Sequence, residues 1–321
     1  MKIGFHASHE QFKPSKLLNL VQLAEKKGFE AAMCSDHFHP WGKNQGESGF
    51  AWSWLGSALQ STSLPFGVVN APGQRYHPAI IAQATATLAE MYENRFWIAI
   101  GSGQLLNEGI TGDKWPPKAE RNERLKQSAE IIRRLWKGEK VTFNGHVKIE
   151  DAMLYTIPKK PPLLIGAAIS AETAEWMGSW VDGLITTSKP QKELKEVIKS
   201  YHRGGGKGNP VYLKVQISYD DNHEDALKGA WEQWKTNMFK NTVQTELRLP
   251  EQFDDASENV EPQDIFKKVR ISSEIEDHIK WLEKDIKHGF EYIYIHNVNK
   301  NQRRFIEDFG KGVIPALAQE L

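Results

Sequence analysis

The sequence predicts a (β/α)8 TIM barrel, an α/β fold in which eight parallel strands are ringed by helices. Three observations lead there. Short apolar runs alternate along the chain with longer segments of helical period, the signature of a parallel sheet covered by helices. The alternation repeats eight times, and eight units with right-handed crossovers close naturally on themselves. The length of 321 residues suits one such barrel, since barrels of about 250 residues and more stay undivided. One domain over residues 1–321 is expected.

Taken in order, the strand-and-helix pairs are 2–6 with 16–27, 30–34 with 52–60, 66–69 with 79–92, and 95–100 with 121–137. The second half continues with 163–167 and 172–177, 182–186 and 192–201, 212–218 and 224–237, and 291–296 and 302–309. Two stretches break the rhythm and read as insertions. Residues 141–155, with Asn144-Gly145 between alternating residues, predict a β-hairpin before strand five. Residues 239–272, polar and acidic with Pro250 and Pro262, are too long for a plain connection after strand seven and predict a lid or substrate-binding loop. The run Arg203-Gly204-Gly205-Gly206-Lys207-Gly208 lacks the order of a phosphate loop and follows a helix, so it reads as a flexible turn.

Composition narrows the partners. Lys plus Arg and Asp plus Glu both number 41, which leaves no excess positive charge to attract nucleic acid or an anionic membrane. No apolar run approaches the roughly 20 residues of a membrane span. Cys34 is the single cysteine and cannot form an internal disulfide. With a start that enters a strand at once, this predicts a cytoplasmic protein. The 11 Trp, 14 Phe and 8 Tyr suit a large core and an aromatic pocket. Trp231 and Trp234 on an outer helix are a candidate homodimer face.

A barrel keeps its chemistry at the C-terminal tips of its strands. Those tips carry His6-Ala7-Ser8, Ser35-Asp36-His37, Val69-Asn70, Gly101-Ser102-Gly103-Gln104, Ala167-Ala168-Ile169-Ser170, Thr186-Thr187-Ser188, Ser218-Tyr219 and His296-Asn297. Small neutral hydrogen-bonding groups dominate, with Asp36 and the histidines able to ionise. Such a wall suits a flat heteroaromatic ligand bound with a small-molecule substrate. Ser170, Thr187 and Ser188 could hold a phosphate or simply cap helices. Asp36, His37 and His39 have ligand-type spacing, but too few further ligands stand at the other tips, and no metal is expected.

The run Ser35-Asp36-His37-Phe38-His39-Pro40-Trp41, then Arg75-Tyr76-His77-Pro78-Ala79 with Ala82-Gln83-Ala84, then Gly101-Ser102-Gly103-Gln104-Leu105-Leu106-Asn107-Glu108, and Gln302-Arg303-Arg304-Phe305 near the end together resemble the bacterial luciferase-like oxidoreductase family. The resemblance spans nearly the whole chain. It is closest to the branch of deazaflavin-dependent glucose-6-phosphate dehydrogenases. It implies a flavin or deazaflavin ring lying across the strand tips, with Asp36 in contact with the ring and His37 at the reacting face. His37, Asp36 and Gln104 become the catalytic candidates. Trp41, His6 and His296 would line the substrate pocket. Val69-Asn70 stands where the family often has a non-proline cis peptide behind the ring. Ser102, Gly103, Asn107, Ala167, Ala168, Ile169 and Ser170, joined by Thr187, fall where the cofactor site is lined.

The departures from that branch bear on the chemistry. Gln104 replaces a glutamate, and an amide cannot exchange a proton as a carboxylate does. Ile169-Ser170 replaces a glycine pair beside the cofactor. The loop after strand three is also one residue shorter, and with these changes beside the cofactor the chain resembles the subgroup using an ordinary flavin, FMN. An FMN-dependent monooxygenase, supplied with reduced flavin by a separate NAD(P)H-dependent flavin reductase, is therefore the first expectation. The alternative is a deazaflavin-dependent dehydrogenase of a sugar phosphate or alcohol, for which Lys189 and Lys268 are candidate phosphate contacts. A flavin-binding protein without catalysis and a metallohydrolase are the competing readings.

Overall fold

In the computed structural model, which describes residues 1–318, eight parallel strands close into a barrel. They are β1 (Lys2–Ala7), β2 (Ala31–Ser35), β3 (Phe66–Asn70), β4 (Phe96–Ile100), β5 (Leu163–Ala167), β6 (Gly183–Thr187), β7 (Val211–Ser218) and β8 (Tyr292–Asn297). Each pairs with its sequence neighbour, and β8 closes the ring on β1 with Gly4 opposite Tyr294. The covering helices are α1 (Pro14–Lys26), α2 (Ala51–Ser61), α3 (Pro78–Met91), α4 (Lys118–Trp136), α5 (Ala171–Met177), α6 (Gln191–Tyr201), α7 (His223–Trp234) and α8 (Gln302–Asp308).

Side-chain alternation along each strand sorts the residues into two cores. On β1, Ile3, Phe5 and Ala7 pack outward with Leu17, Leu20, Val21 and Ala24 of α1, whose spacing makes one helical face. Gly4 and His6 therefore face the barrel interior. The lower interior is filled by Met33, Trp97, Ile165, Ile185, Tyr212 and Tyr294. Trp97 is the centre of this plug, 5.2 Å from Tyr212 and 5.7 Å from Tyr294 between ring centroids, and its indole N–H donates to Tyr294 Oη at 3.1 Å. Room for it comes from Gly67, where any Cβ would stand 1.9 Å from the Trp97 ring. The plug seals the barrel below, so polar chemistry is confined to the strand tips above.

Both insertions are present. The hairpin pairs Val141–Asn144 with Lys148–Ala152. The segment after α7 is more ordered than a simple lid. It holds short helices at Asn241–Gln244 and Pro250–Ala256, a 3-10 turn at Pro262–Lys267, and a two-residue strand, Arg270–Ile271, added beside β7. A helix at Ile275–Ile286 precedes β8 and was not anticipated from periodicity. The glycine-rich run continues α6 as a π-type turn remote from the strand tips, with Gly205 at φ 113°. No cis peptide bond occurs among the described residues, which corrects the expectation at Val69-Asn70. Trp234 is also not on an outer face: it is buried edge-on against His296, while Trp231 is half-buried with its N–H donated to Val260 O, which removes the basis for a dimer face there. No described helix is long and apolar enough to cross a membrane.

Candidate active site

Two strand tips make the reactive corner. After β1 the chain turns tightly, Gln11 N bonding back to Ser8 O, and this brings Glu10 under the β2 loop. Glu10 Oε1 lies 2.6 Å from His37 Nδ1, and its Oε2 accepts from Ser8 Oγ at 2.8 Å. Burial of the Glu10 side chain would by itself raise its carboxyl pKa. The His37 charge and the hydrogen bonds from His37 and Ser8 more than reverse that and hold it well below the usual carboxylate range. With Nδ1 turned to the carboxylate, Nε2 is the His37 nitrogen left for a ligand. The imidazole stands edge-on to Trp41 at 5.3 Å, and Trp41 edge-on to Phe253 of the long insertion at 5.4 Å. Glu10 escaped the sequence reading because it lies beyond the end of β1.

The same loop is clamped from behind. Asn107 Oδ1 accepts from the backbone amides of Phe38 and His39 at 2.8 and 3.2 Å, and His39 Nδ1 lies 2.7 Å from Leu106 O. Asn107, expected against the cofactor, uses its Oδ1 to fix the loop that carries His37.

Asp36 is likewise turned into the wall. Its Oδ2 accepts from Trp52 Nε1 at 3.0 Å and Asn70 Nδ2 at 2.9 Å, and its Oδ1 from Tyr76 Oη at 3.3 Å. Arg75 lies between Asp36 and Glu108, 3.5 Å from a carboxylate oxygen of each, while its backbone N–H donates to Glu108 at 2.8 Å. Burial raises the Glu108 carboxyl although Arg75 opposes the shift, and burial followed by Asp36 raises the Tyr76 phenol. Asp36, expected as a catalytic and cofactor-contacting residue, is 3% exposed with both carboxylate oxygens engaged in this buried network.

The remaining tips form two unlike sides. One, from β3 to β6, is made of small neutral groups: Val69, Gly101, Ser102, Gly103, Gln104, Ala167 and Thr187 are all half-buried. Gly103 adopts φ 82°, and a Cβ there would meet Glu108 Cγ at 2.8 Å. Ala168 is closed off, Ile169 is 49% exposed, and Ser170 caps α5 by accepting from Thr173 N at 3.2 Å. Lys189 donates to Ile169 O, and Lys268 to the carbonyls of Asn237 and Phe239, so both candidate phosphate contacts already have backbone acceptors.

The other side, from β7 through β8 and β1 to β2, holds the titratable groups. His6 and His296 stack with centroids 4.3 Å apart. His296 Nε2 meets Gln11 Oε1 at 3.0 Å, and Gln11 Nε2 donates to Val298 O at 2.7 Å and Gln233 Oε1 at 3.1 Å. Because the Gln11 amide nitrogen is used in this way, its oxygen faces His296, and His296 Nε2 is the protonated nitrogen. Burial, then Lys214, push His296 down to about 3, and burial, then His296, put His6 well below its ordinary value. Both are neutral imidazoles near pH 7.

A flat tricyclic ring needs a smooth, uncharged wall with a few polar atoms free to meet it. The glycine and alanine tips of β4 and β5 supply the wall, and the half-buried Ser102 and Gln104 bring polar side chains to it. The residues present therefore fit a flavin or deazaflavin. A surface groove of about 340 Å3 lined by Lys16, Leu20, Lys300 and Arg303 shares no residue with this mouth.

A model of the luciferase-like monooxygenase family matches residues 1–288. The chain belongs to this family. Among its luciferase-like relatives is an F420-dependent glucose-6-phosphate dehydrogenase of Microbacterium testaceum, 31% identical over 329 residues, covering 99% of this chain and 97% of the relative. The solved structure of an F420-dependent secondary alcohol dehydrogenase in complex with an F420-acetone adduct superposes with a TM-score of 0.90 at 27% identity, covering 98% of each chain. Monooxygenase RslO1 of Streptomyces bottropensis shares the fold alone, at a TM-score of 0.77 and 15% identity over 99% of this chain and 100% of that one. This luciferase-like chain is an oxidoreductase.

Proposed function

We propose that the chain is a dehydrogenase that moves a hydride between a deazaflavin and the carbinol carbon of a small hydroxylated substrate. The observation that carries this reading is the His37–Glu10 pair, 2.6 Å apart, set across the mouth from a neutral wall. When bound, the deazaflavin supplies a carbon centre that takes or gives the hydride. In the oxidative direction, His37 Nε2 takes the hydroxyl proton as the carbon–hydrogen bond breaks and the carbonyl forms. The Glu10 carboxylate stabilises the imidazolium that results. Trp41, held by Phe253, closes the corner against water, and Gln104 orients the hydroxyl without titrating. Val69, Asn70, Ser102, Gly103, Ala167, Ala168, Ile169, Ser170 and Thr187 are the groups proposed to line the ring, with His6 and His296 on the substrate side.

The deazaflavin dependence named for the relatives supports this order of preference over the FMN monooxygenase expected from the sequence. An FMN enzyme served by a separate flavin reductase is kept as the second reading because two observations favour it, Gln104 in place of a carboxylate and the exposed Ile169 beside the ring wall. Fluorescence-quenching titration with FMN, FAD and deazaflavin decides between them. Deazaflavin binding followed by its anaerobic reduction by an alcohol or sugar phosphate supports the first reading. Binding of FMN alone, with oxygen consumed on substrate addition, overturns it.

A further inference from the structure

Lys214 stands on the substrate side of the mouth without a counter-charge. Its neighbours Leu213 and Val215 pack outward while Tyr212 packs inward, so Lys214 enters the other interior position of β7. It pairs in register with Thr187 of β6 and Tyr294 of β8, one interior step below Gln216 and His296. Tyr212, Gln216, Tyr294 and His296 are all buried, yet the Lys214 side chain keeps part of its surface open, which places its ammonium toward the mouth. Among the described residues its Nζ makes no hydrogen bond or ion pair. Burial lowers its pKa, with Glu10 opposing. Glu10 does not serve as its partner, because that carboxylate is engaged by His37 and Ser8.

Beside it, His6 is 3% exposed and neither of its ring nitrogens has a partner. A neutral imidazole always carries one N–H, and a buried donor left unpaired is costly. A lysine ammonium turned to the mouth with no carboxylate of its own calls for an anion as well. Both needs are met by one ligand chemistry, an anionic oxygen group entering from the mouth.

We propose that Lys214, together with the His6 N–H, holds a carboxylate or phosphate carried by the substrate. This rests on the hydride-transfer reading and names its substrate class. Its place follows from the two-sided mouth. The neutral tips of β3 to β6 take the ring, so the group met by Lys214 and His6 on β7 and β1 belongs to the molecule that reacts beside His37. Lys189 and Lys268, each already satisfied by backbone carbonyls, leave this role open.

The test is calorimetric binding of inorganic phosphate, lactate and 2-propanol to the full chain, with and without deazaflavin, in the wild type and in Lys214→Met and Lys214→Arg. Phosphate or lactate should bind the wild type, about 30-fold more weakly to Lys214→Met and within a few-fold to Lys214→Arg, with 2-propanol unaffected. Phosphate alone identifies a phosphorylated substrate, and lactate alone a carboxylate. A melting temperature of Lys214→Met within a few degrees of the wild type shows that the variant folds. Equal oxyanion binding by wild type and Lys214→Met, or none by the wild type, overturns the assignment. Failure of deazaflavin to bind while oxyanion binding stays Lys214-dependent would instead remove the hydride-transfer reading alone.

Discussion

Glu10→Gln separates a buried catalytic pair from a merely packed one. The substitution keeps the side chain's size and leaves an acceptor for Ser8 Oγ, but it removes the charge 2.6 Å from His37 Nδ1. A hydrogen bond to a charged group contributes about 1.5 to 3 kcal/mol, and Glu10 is only 4% exposed, so little of that is screened. A loss of about 2 kcal/mol at pH 7 is expected, or roughly 5 °C in melting temperature for a chain of this size. The sign with pH follows from the direction of the Glu10 shift. Its pKa in the fold lies below the unfolded value, so the stabilisation is present above the ordinary carboxylate range, near about 4.3, and is lost as pH falls through the folded value. Thermal unfolding by circular dichroism at pH 7 and at several steps below pH 4 should show the gap between wild type and Glu10→Gln narrowing as pH drops. Turnover should fall about 100-fold with deazaflavin affinity unchanged, since the carboxylate supports His37 rather than the ring. A gap of equal size at every pH, or turnover and cofactor affinity lost in step, would refute this account.

Gly67→Ala should cost about 1 to 3 kcal/mol or prevent folding, because its Cβ would stand 1.9 Å from the Trp97 ring at the centre of the plug; a chemical denaturation curve reads this directly. Asp36→Ala should cost about 3 kcal/mol by stranding Arg75 and the three donors that converge on it, again seen in the denaturation midpoint. Gln104→Glu places a carboxylate at the tip of β4, and turnover of an alcohol or sugar phosphate should rise about tenfold with a new ionisation in the rate profile; an unchanged profile would place residue 104 away from the reacting proton. Asn107→Ala frees the amides of Phe38 and His39, and should lower turnover more than stability by letting the His37 loop drift, measured as kcat against melting temperature.

The barrel was legible because its strands are short apolar runs with no competing pattern, and the structure displaces their ends by a residue or so. The helix at Ile275–Ile286 was masked by the polar stretch before it, which read as one long loop. At the site, the loop from Asp36 to Trp41, singled out for its histidine and aromatic content, carries His37 against Glu10 and Trp41. What the linear chain could not convey is direction. Asp36 follows the outward-facing Cys34 in the alternation of β2, so it turns toward α2 and α3 while His37 turns to Glu10. Glu10 and Lys214 were invisible as candidates for the same reason: one lies in a turn past its strand and the other looks like an ordinary surface lysine until the strand's parity is known.

The two kinds of polar group near the mouth answer to different demands. The charges of Asp36, Arg75 and Glu108 face one another within the protein, and with Asn107 they hold the β2 loop at its base. The His6 ring nitrogens and Asn70 Oδ1 are buried with bonding capacity that the protein itself does not meet, and Lys214 stands near His6 with no carboxylate of its own. A fold tolerates unmet polar capacity only where something else supplies the partner or where function requires the strain. The Asp36 network surrounds the loop from behind, while His6 and Lys214 occupy interior positions of β1 and β7. That division lets the pocket be both stiff and receptive: the buried network fixes the β2 loop beside the neutral wall, and the incomplete groups are the ones that the proposed ring and substrate would complete.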